Sequence, residues 1–186
     1  HGIARHALIS LFDGTILCIG GEAFIEGKRK RCQKTVWAWD PKTDQWSKKA
    51  DLNIGRQDHA ALVSTDGRVV VVGGETPLQT QAIVELWDRR ANRWAFGPKT
   101  GIKLRDVQLQ KRGHDILIAG PSVSASGSGA LILNVKTGSI QPSESLKGIG
   151  IDGLSPLKDG NVAIWAKSAS EINVGLWSSK KNSISW

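Results

Sequence analysis

Short apolar runs separated by turn-forming residues mark this chain from end to end. HALISLFDGTILCIGG (6–21) returns as HAALVSTDGRVVVVGG (59–74), and each is followed by a polar stretch and then VWAWDPKTDQW (36–46) or VELWDRRANRW (84–94). RDVQLQKRGHDILIAG (105–120) and DGLSPLKDGNVAIWA (152–166) align with the same template without a gap, as decayed copies. The closing Trp is replaced by Ile140 in copy three and returns as Trp186, 92 residues after Trp94 and so two periods of about 46. Four copies, about 1–50, 51–98, 99–145 and 146–186, account for nearly the whole chain.

Each copy predicts four short strands. A mixed first strand runs into Asp13-Gly14, Asp66-Gly67, Lys111-Arg112-Gly113 or Asp159-Gly160, where positive φ is cheap and a tight hairpin forms. The second strand (ILCIG, VVVVG, ILIAG, VAIWA) is apolar throughout, the pattern of a strand covered on both faces. The third alternates, and a turn rich in Pro, Asn, Asp or Gly leads to the fourth, which carries the Trp. No window holds a sustained helical period. The chain therefore reads as all-β, and four-stranded units too small to cover their own faces stack radially as the blades of a β-propeller. Gly20-Gly21 and Gly73-Gly74 then allow sharp turns or close backbone approach, and Trp46, Trp94 and Trp186 fill the space between sheets.

The His-Ala start, Asp-Gly turn, Gly-Gly end, spaced aromatic-Asp and final Trp closely resemble kelch repeats. The resemblance spans essentially all 186 residues, with its specific motifs in the first half. Trp39 and Trp87 stand where kelch repeats commonly carry Tyr, and Ala119-Gly120 and Trp165-Ala166 replace the Gly pair. Trp87-Asp88 resembles the WD40 signature, but the Gly pair and the Trp six residues after Asp88 fit kelch better. The resemblance implies rings of six or seven blades, whereas this sequence supplies four. An open arc exposes an apolar sheet at each end. Since the sequence does not begin with Met, the expectation is a segment of a larger propeller whose remaining blades belong to another segment or chain.

Composition narrows the chemistry. With no Tyr, the chain has no tyrosine nucleophile and no tyrosyl-radical cofactor, which removes the radical-oxidase branch that the resemblance would otherwise allow. Two cysteines make no disulfide scaffold, and Cys18 and Cys32 are read as free thiols, without zinc-ligand spacing. Cationic neighbours of Cys32 favour its thiolate. No apolar run approaches the roughly 20 residues of a membrane-spanning helix. The Gly pairs end strands and open no phosphate-binding helix. PSVSASGSG (121–129) reads as a loop tip. No cofactor or metal is expected.

Two candidate binding regions remain, both on the face formed by the strand-two to strand-three connections and the entries to strand one. One is a polar ring at a central channel mouth: Arg5, His6, Arg56, His59, Lys103, Arg105 and Asp152, with His6, His59, Arg105 and Asp152 at equivalent repeat positions. The other is a basic loop of blade one, Lys28, Arg29, Lys30, Arg31 and Lys34; residues 1–50 carry 9 Lys/Arg against 5 Asp/Glu, half of the +8 net charge. Such clusters attract acidic partners. With Phe24 as the loop's lone stacking group, nucleic-acid reading is not indicated. The expected function is a non-catalytic scaffold that engages a protein or acidic partner, a glycan included, through this basic face. A carbohydrate-active domain resembling sugar epimerases, using His6, Arg56, His59 and Arg105, and a structural subunit of a larger assembly are the alternatives.

Overall fold

The computed structural model is built of strands, with one short 3-10 turn at Glu144–Leu146. It describes all residues except 1, 26, 27, 31, 105, 121–128, 147, 148, 150, 158, 160, 168–171, 179–182 and 186. Four antiparallel four-stranded sheets follow one another. Blade one contains β2 (Ala7–Ser10), β3 (Ile16–Ile19), β6 (Val36–Asp40) and β7 (Gln45–Lys48). Blade two contains β8 (Gln57–Val63), β9 (Val69–Glu75), β10 (Ile83–Asp88) and β11 (Arg93–Lys99). Blade three is β12 (Gln108–Arg112), β13 (Asp115–Gly120), β14 (Gly129–Asn134) and β15 (Ser139–Pro142), and blade four is β16 (Ile151–Pro156), β17 (Val162–Lys167), β18 (Ile172–Ser178) and β19 (Ser183–Ser185). A small fifth sheet joins β1 (Gly2–Ala4), β4 (Glu22–Ile25) and β5 (Lys28–Lys30). The sheets form an open arc, a partial propeller.

Each sheet buries one face against the next. The leading face of blade one, toward blade two, holds Leu17, Ile19, Val36 and Ala38; it meets the trailing face of blade two, Val69, Val71, Trp87 and Trp94. Val70, Val72 and Val84 then meet Ile116, Ile118, Leu131 and Leu133 of blade three. Leu117, Ala119, Ala130 and Ile132 meet Val162, Ile164 and Trp177 of blade four. This explains the unbroken apolar second strand: successive side chains point into two different cores. Trp94 stacks on Trp87 with ring centroids 6.2 Å apart, and its indole N–H donates to the Ala50 carbonyl at 2.9 Å.

Strand pairing defines equivalent positions without reference to sequence similarity. Trp39 pairs with Trp46 and Ile16, Trp87 with Trp94 and Val69, Leu133 with Ile140 and Ile116, and Trp177 with Ile184 and Val162. Ile140 takes the Trp place, as the repeat predicts. In blade four that place belongs to Ile184, and Trp186 lies outside the described residues. On the first strand the row continues to Ser10, Val63, Lys111 and Pro156. Counting back four residues gives His6, His59 and Val107, and in blade four, where the strand bulges at Asp152, the place falls to the buried Ile151, which pairs with Ala166. Val107, not Arg105, therefore occupies the ring position in blade three. Two one-residue shifts add up: Arg112 pairs with Asp115 around a two-residue turn, one residue shorter than in blades one and two, and the ladder sets Gly120, not Ala119, at the place of Gly20. On the second strand alone, the one-residue slip exchanges the two faces.

Backbone conformation repeats in step. The residue before each of these positions, Arg5, Asp58 and Asp106, adopts φ of 57°, 52° and 46°. In the turns from strand three to strand four, Asp44, Asn92 and Gly138 are left-handed too, at 53°, 44° and 71°. Asp40, Asp88 and Asn134 accept the amide protons of Lys42, Arg90 and Lys136, two residues on, and so nucleate these turns. Gly20 and Gly21 have φ of +59° and +91°. A Cβ at Gly20 would lie 2.8 Å from the Arg56 carbonyl and one at Gly21 would lie 2.6 Å from the Ala4 carbonyl, so the Gly pair serves both turning and close approach.

Trp46 departs from its expected role as filler between sheets. It is 54% exposed, whereas Trp94 at the same repeat position is 5% exposed. No sheet covers the trailing face of blade one. Trp94→Ala is therefore expected to cost about 3–5 kcal/mol, and Trp46→Ala less than about 1 kcal/mol in dilute solution. Urea denaturation of the two variants measures the difference.

Candidate functional site

The connections between strands two and three and the linkers into strand one share one end of the arc. Here the Gly21 amide donates to the Arg56 carbonyl at 2.8 Å, and the Asp58 amide to the Arg5 carbonyl at 3.0 Å. The linker from blade one to blade two is thereby held against both sheets.

Arg56, expected at the channel mouth, is instead fully buried in the junction of the first two blades. Its guanidinium donates to the Gly73 carbonyl at 2.9 Å, to the Ile83 carbonyl at 3.2 Å and to Glu85 Oε1 at 2.7 Å. Glu85, also fully buried, accepts from the Asn53 amide and side chain through Oε2 and from the Ile54 amide through Oε1. Burial lowers the pKa of the arginine, and the charge and hydrogen bond of Glu85 oppose that shift. The cluster is a latch, closed to solvent ligands.

His59 is buried beneath the same linker. Its ring lies over Gly20, where a Cβ would stand 2.9 Å from Cε1. Burial, then the Arg56 charge and the neighbouring His6 push the pKa of His59 down to about 3, against the opposing pull of the Ile19 carbonyl. Val107 in the equivalent place packs on Gly73 through its methyl group, so this repeat position wedges adjoining blades together.

The remaining ring residues sit nearer to solvent. Arg5 donates through Nε to Asp58 Oδ1 at 2.8 Å and through Nη2 to Glu75 Oε1 at 2.9 Å, with a further close contact from Nη2 to Asp58 Oδ2. His6 is half-buried, and Lys103 is exposed. Asp152 is the bulged residue of blade four, and its carbonyl accepts from Gln108 at 2.7 Å. Arg105 lies outside the described residues. Among the described residues, no three His, Cys, Asp or Glu converge as a metal site, and no helix is long and apolar enough to cross a membrane. The carbohydrate-active alternative thus finds two of its four residues, Arg56 and His59, enclosed.

The basic segment is not a plain loop. Lys28, Arg29 and Lys30 form β5, an outer strand of the small sheet, paired to Ile25, Phe24 and Ala23. Arg31 is outside the described residues, while Lys34 is exposed. Neither cysteine is in a disulfide: Cys32 donates through Sγ to the Glu75 carbonyl at 3.2 Å, and Cys18 is buried. Desolvation raises the pKa of Cys18.

Between the connections of blades one and two runs an open groove of about 580 Å³, lined among others by Lys34, Ile54, Pro77, Leu78 and Gln79. Leu78 is 95% exposed. It is nevertheless held in an ordered turn, because Thr76 Oγ1 accepts the Leu78 and Gln79 amides at 3.2 and 3.1 Å. Sequence reading passed over Leu78; the signal was the Thr-Pro-Leu of ETPLQTQ, a turn carrying one large apolar residue. A second groove, of about 360 Å³, opens at the opposite end of these blades, where Arg89 bridges to Asp13 and holds that carboxyl below the usual range.

Two expectations follow from the latch and the wedge. Glu85→Ala leaves the Arg56 charge buried without its counterion and is expected to cost about 3–5 kcal/mol by denaturant titration. For His59 the unfolded chain binds a proton below pH 6.5 that the folded chain refuses until about pH 3. Stability is therefore lost as pH falls from 6.5 toward 3, by up to about 1.4 kcal/mol per pH unit. His59→Gln should flatten that loss between pH 6.5 and 5, read as denaturation midpoints.

Comparison with known proteins agrees with this geometry. The kelch motif family matches residues 5–53 and 59–101, the first two blades. Kelch-like protein 36 of Rattus norvegicus is 28% identical over 95 residues, covering 50% of this chain and 15% of that protein. Spermatocyte protein spe-26 of Caenorhabditis elegans is 30% identical over 111 residues, 59% of this chain and 19% of the relative. Kelch domain-containing protein 7A of Mus musculus is 40% identical over 63 residues, 34% of this chain and 8% of the relative. The matches span a fifth or less of the length of these relatives. Repeat pattern, blade architecture and relatives agree that the chain belongs to the kelch-repeat family.

Proposed function

We propose that this chain is a protein-binding scaffold that takes an acidic partner on the end of the arc bearing β5, Lys34 and Leu78. Kelch repeats and kelch-like relatives support a protein-interaction module. The observation that carries the finer reading is the ordered presentation of Leu78 beside Lys34 across an open groove. An exposed apolar residue whose backbone is already held by hydrogen bonds loses little backbone entropy on docking, and apolar anchors ringed by charge are what interface centres use. The basic strand next to it accelerates encounter with an acidic surface more than it deepens affinity. The buried Arg56, Glu85 and His59 act below this surface, setting the angle at which the first two blades present their connections.

The test separates a face-specific site from net charge alone. Lys28→Glu, Lys30→Glu and Lys34→Glu combined should abolish binding to an immobilised polyglutamate peptide at low salt. The same charge change on the opposite turns, Lys42→Glu, Arg90→Glu and Lys136→Glu, should leave binding largely intact. Equal losses in both triple variants would refute a binding face. A Leu78→Ala variant is expected to weaken capture of an acidic peptide carrying apolar side chains and to leave polyglutamate binding unchanged.

A further inference from the structure

Every junction inside the arc follows one rule: the leading face of one blade covers the trailing face of the next. The two end sheets break it in complementary ways. Among the described residues, blade one has no cover for its trailing face, where Leu8 is 59%, Trp37 37% and Trp46 54% exposed, with Ile16, Cys18 and Trp39 between them. Among the same residues, blade four has nothing against its leading face, where Val174 is 60%, Leu176 46% and Trp165 37% exposed. At the same repeat positions in blade two, Trp94 on the trailing face is 5% exposed, and Val72 and Val84 on the leading face are fully buried. Each end therefore displays the half of a blade junction that the other lacks.

The chemistry of the two halves matches. Where blade two places Glu85, which needs Arg56, blade one places Trp37, so its trailing face calls for no counterion. Among the described side chains, the leading face of blade four, Ala163, Trp165, Ile172, Val174 and Leu176, brings none. Trp165 already lies flat over Gly153, where a Cβ would stand 2.0 Å from its ring, and leaves a broad apolar surface. The bond from the Trp94 indole to the Ala50 carbonyl is not a requirement of such junctions. Ile140 and Ile184 occupy that place at the other two, which hold by apolar burial.

We propose that this chain associates head to tail with a second copy of itself, the leading face of blade four seating on the Trp37–Trp46 face of blade one. The contact is heterologous, so it closes when both ends of two copies engage and otherwise extends into longer chains. It is independent of the proposed binding end, because both faces lie on the flanks of the arc.

Sedimentation equilibrium tests it with variants that block one end each. The parent should rise with concentration above the 20.1 kDa monomer to twice that mass or more. Trp46→Glu (blocked trailing face) and Leu176→Asp (blocked leading face) should each stay monomeric, since either retains a single usable face. Mixed in equal amounts they should form a one-to-one heterodimer and nothing larger. Leu8→Glu serves as a second trailing-face variant, and unchanged circular dichroism confirms that each variant is folded. A parent that remains monomeric at all concentrations, or single variants that self-associate as the parent does, overturns the proposal. The first outcome would assign the faces to blades of a longer polypeptide or of another protein.

Discussion

No sheet in this protein can stand alone, and burial between neighbouring sheets is the constraint from which the rest of the structure follows. A four-stranded antiparallel sheet with apolar residues on both faces gains stability as each is covered, at about 25 cal/mol for each Å² of apolar surface removed from water. The second strands obey this most strictly. Val69 to Val72 are fully buried in succession, alternate residues belonging to different cores. Pairwise packing of this kind makes stability a sum over junctions, so a change at one junction should be felt mainly by the two blades that share it.

Polar groups near the inner strands then serve those junctions. Arg56 and Glu85 fix how blade one meets blade two; Gln108 bonds to the backbone of Asp152 and Leu154 between blades three and four. Lys111 and Arg68 donate to the carbonyls of Val63 and Val135 across the middle junction. A buried ion pair contributes little net stability compared with apolar packing, but its loss on one side is costly and its geometry is restrictive. Residues that look like a ring of ligands along the chain are therefore largely occupied in holding blades together. The connections beyond them leave Leu78 and Lys34 exposed, and it is there that the proposed binding face lies.

The repeat, the four strands per copy and the two-sided burial of strand two were legible because apolar periodicity and turn residues are local signals. Three features were not. Gly113 and His114 close a hairpin one residue shorter than Asp13-Gly14, and the ladder from Ile116 sets Gly120 at the place of Gly20 where an ungapped alignment sets it at Gly21; the two shifts add, so the alignment puts Arg105 where Val107 sits. Ile184 pairs with Trp177 although Trp186 matches the motif better, because ladder register rather than residue type defines the position. The partnership of Arg56 with Glu85, 29 residues apart, joins the linker before β8 to β10 across the folded sheet, and no local pattern announces it. Lys28 to Lys30 were read as a solvated loop for want of alternation, yet β1 and β4 supply a template on which three charged residues extend as a strand.

The row that carries Trp37 in blade one, Glu85 in blade two and Leu131 in blade three also bears on how a sheet is matched to its entering linker. A trailing face with Glu85 is satisfied only by a linker that brings Arg56, because the carboxylate would otherwise be desolvated without a counterion. A trailing face with Trp37 has no use for that arginine and would bury its charge unpaired. Arg56 directly precedes β8, and its guanidinium donates to Gly73, Ile83 and Glu85, all in blade two, so the pair matches a sheet to its own entering linker. This repeat position therefore fixes what the linker must carry, since either mismatch buries a charge without its partner, while both trailing faces remain good apolar surfaces.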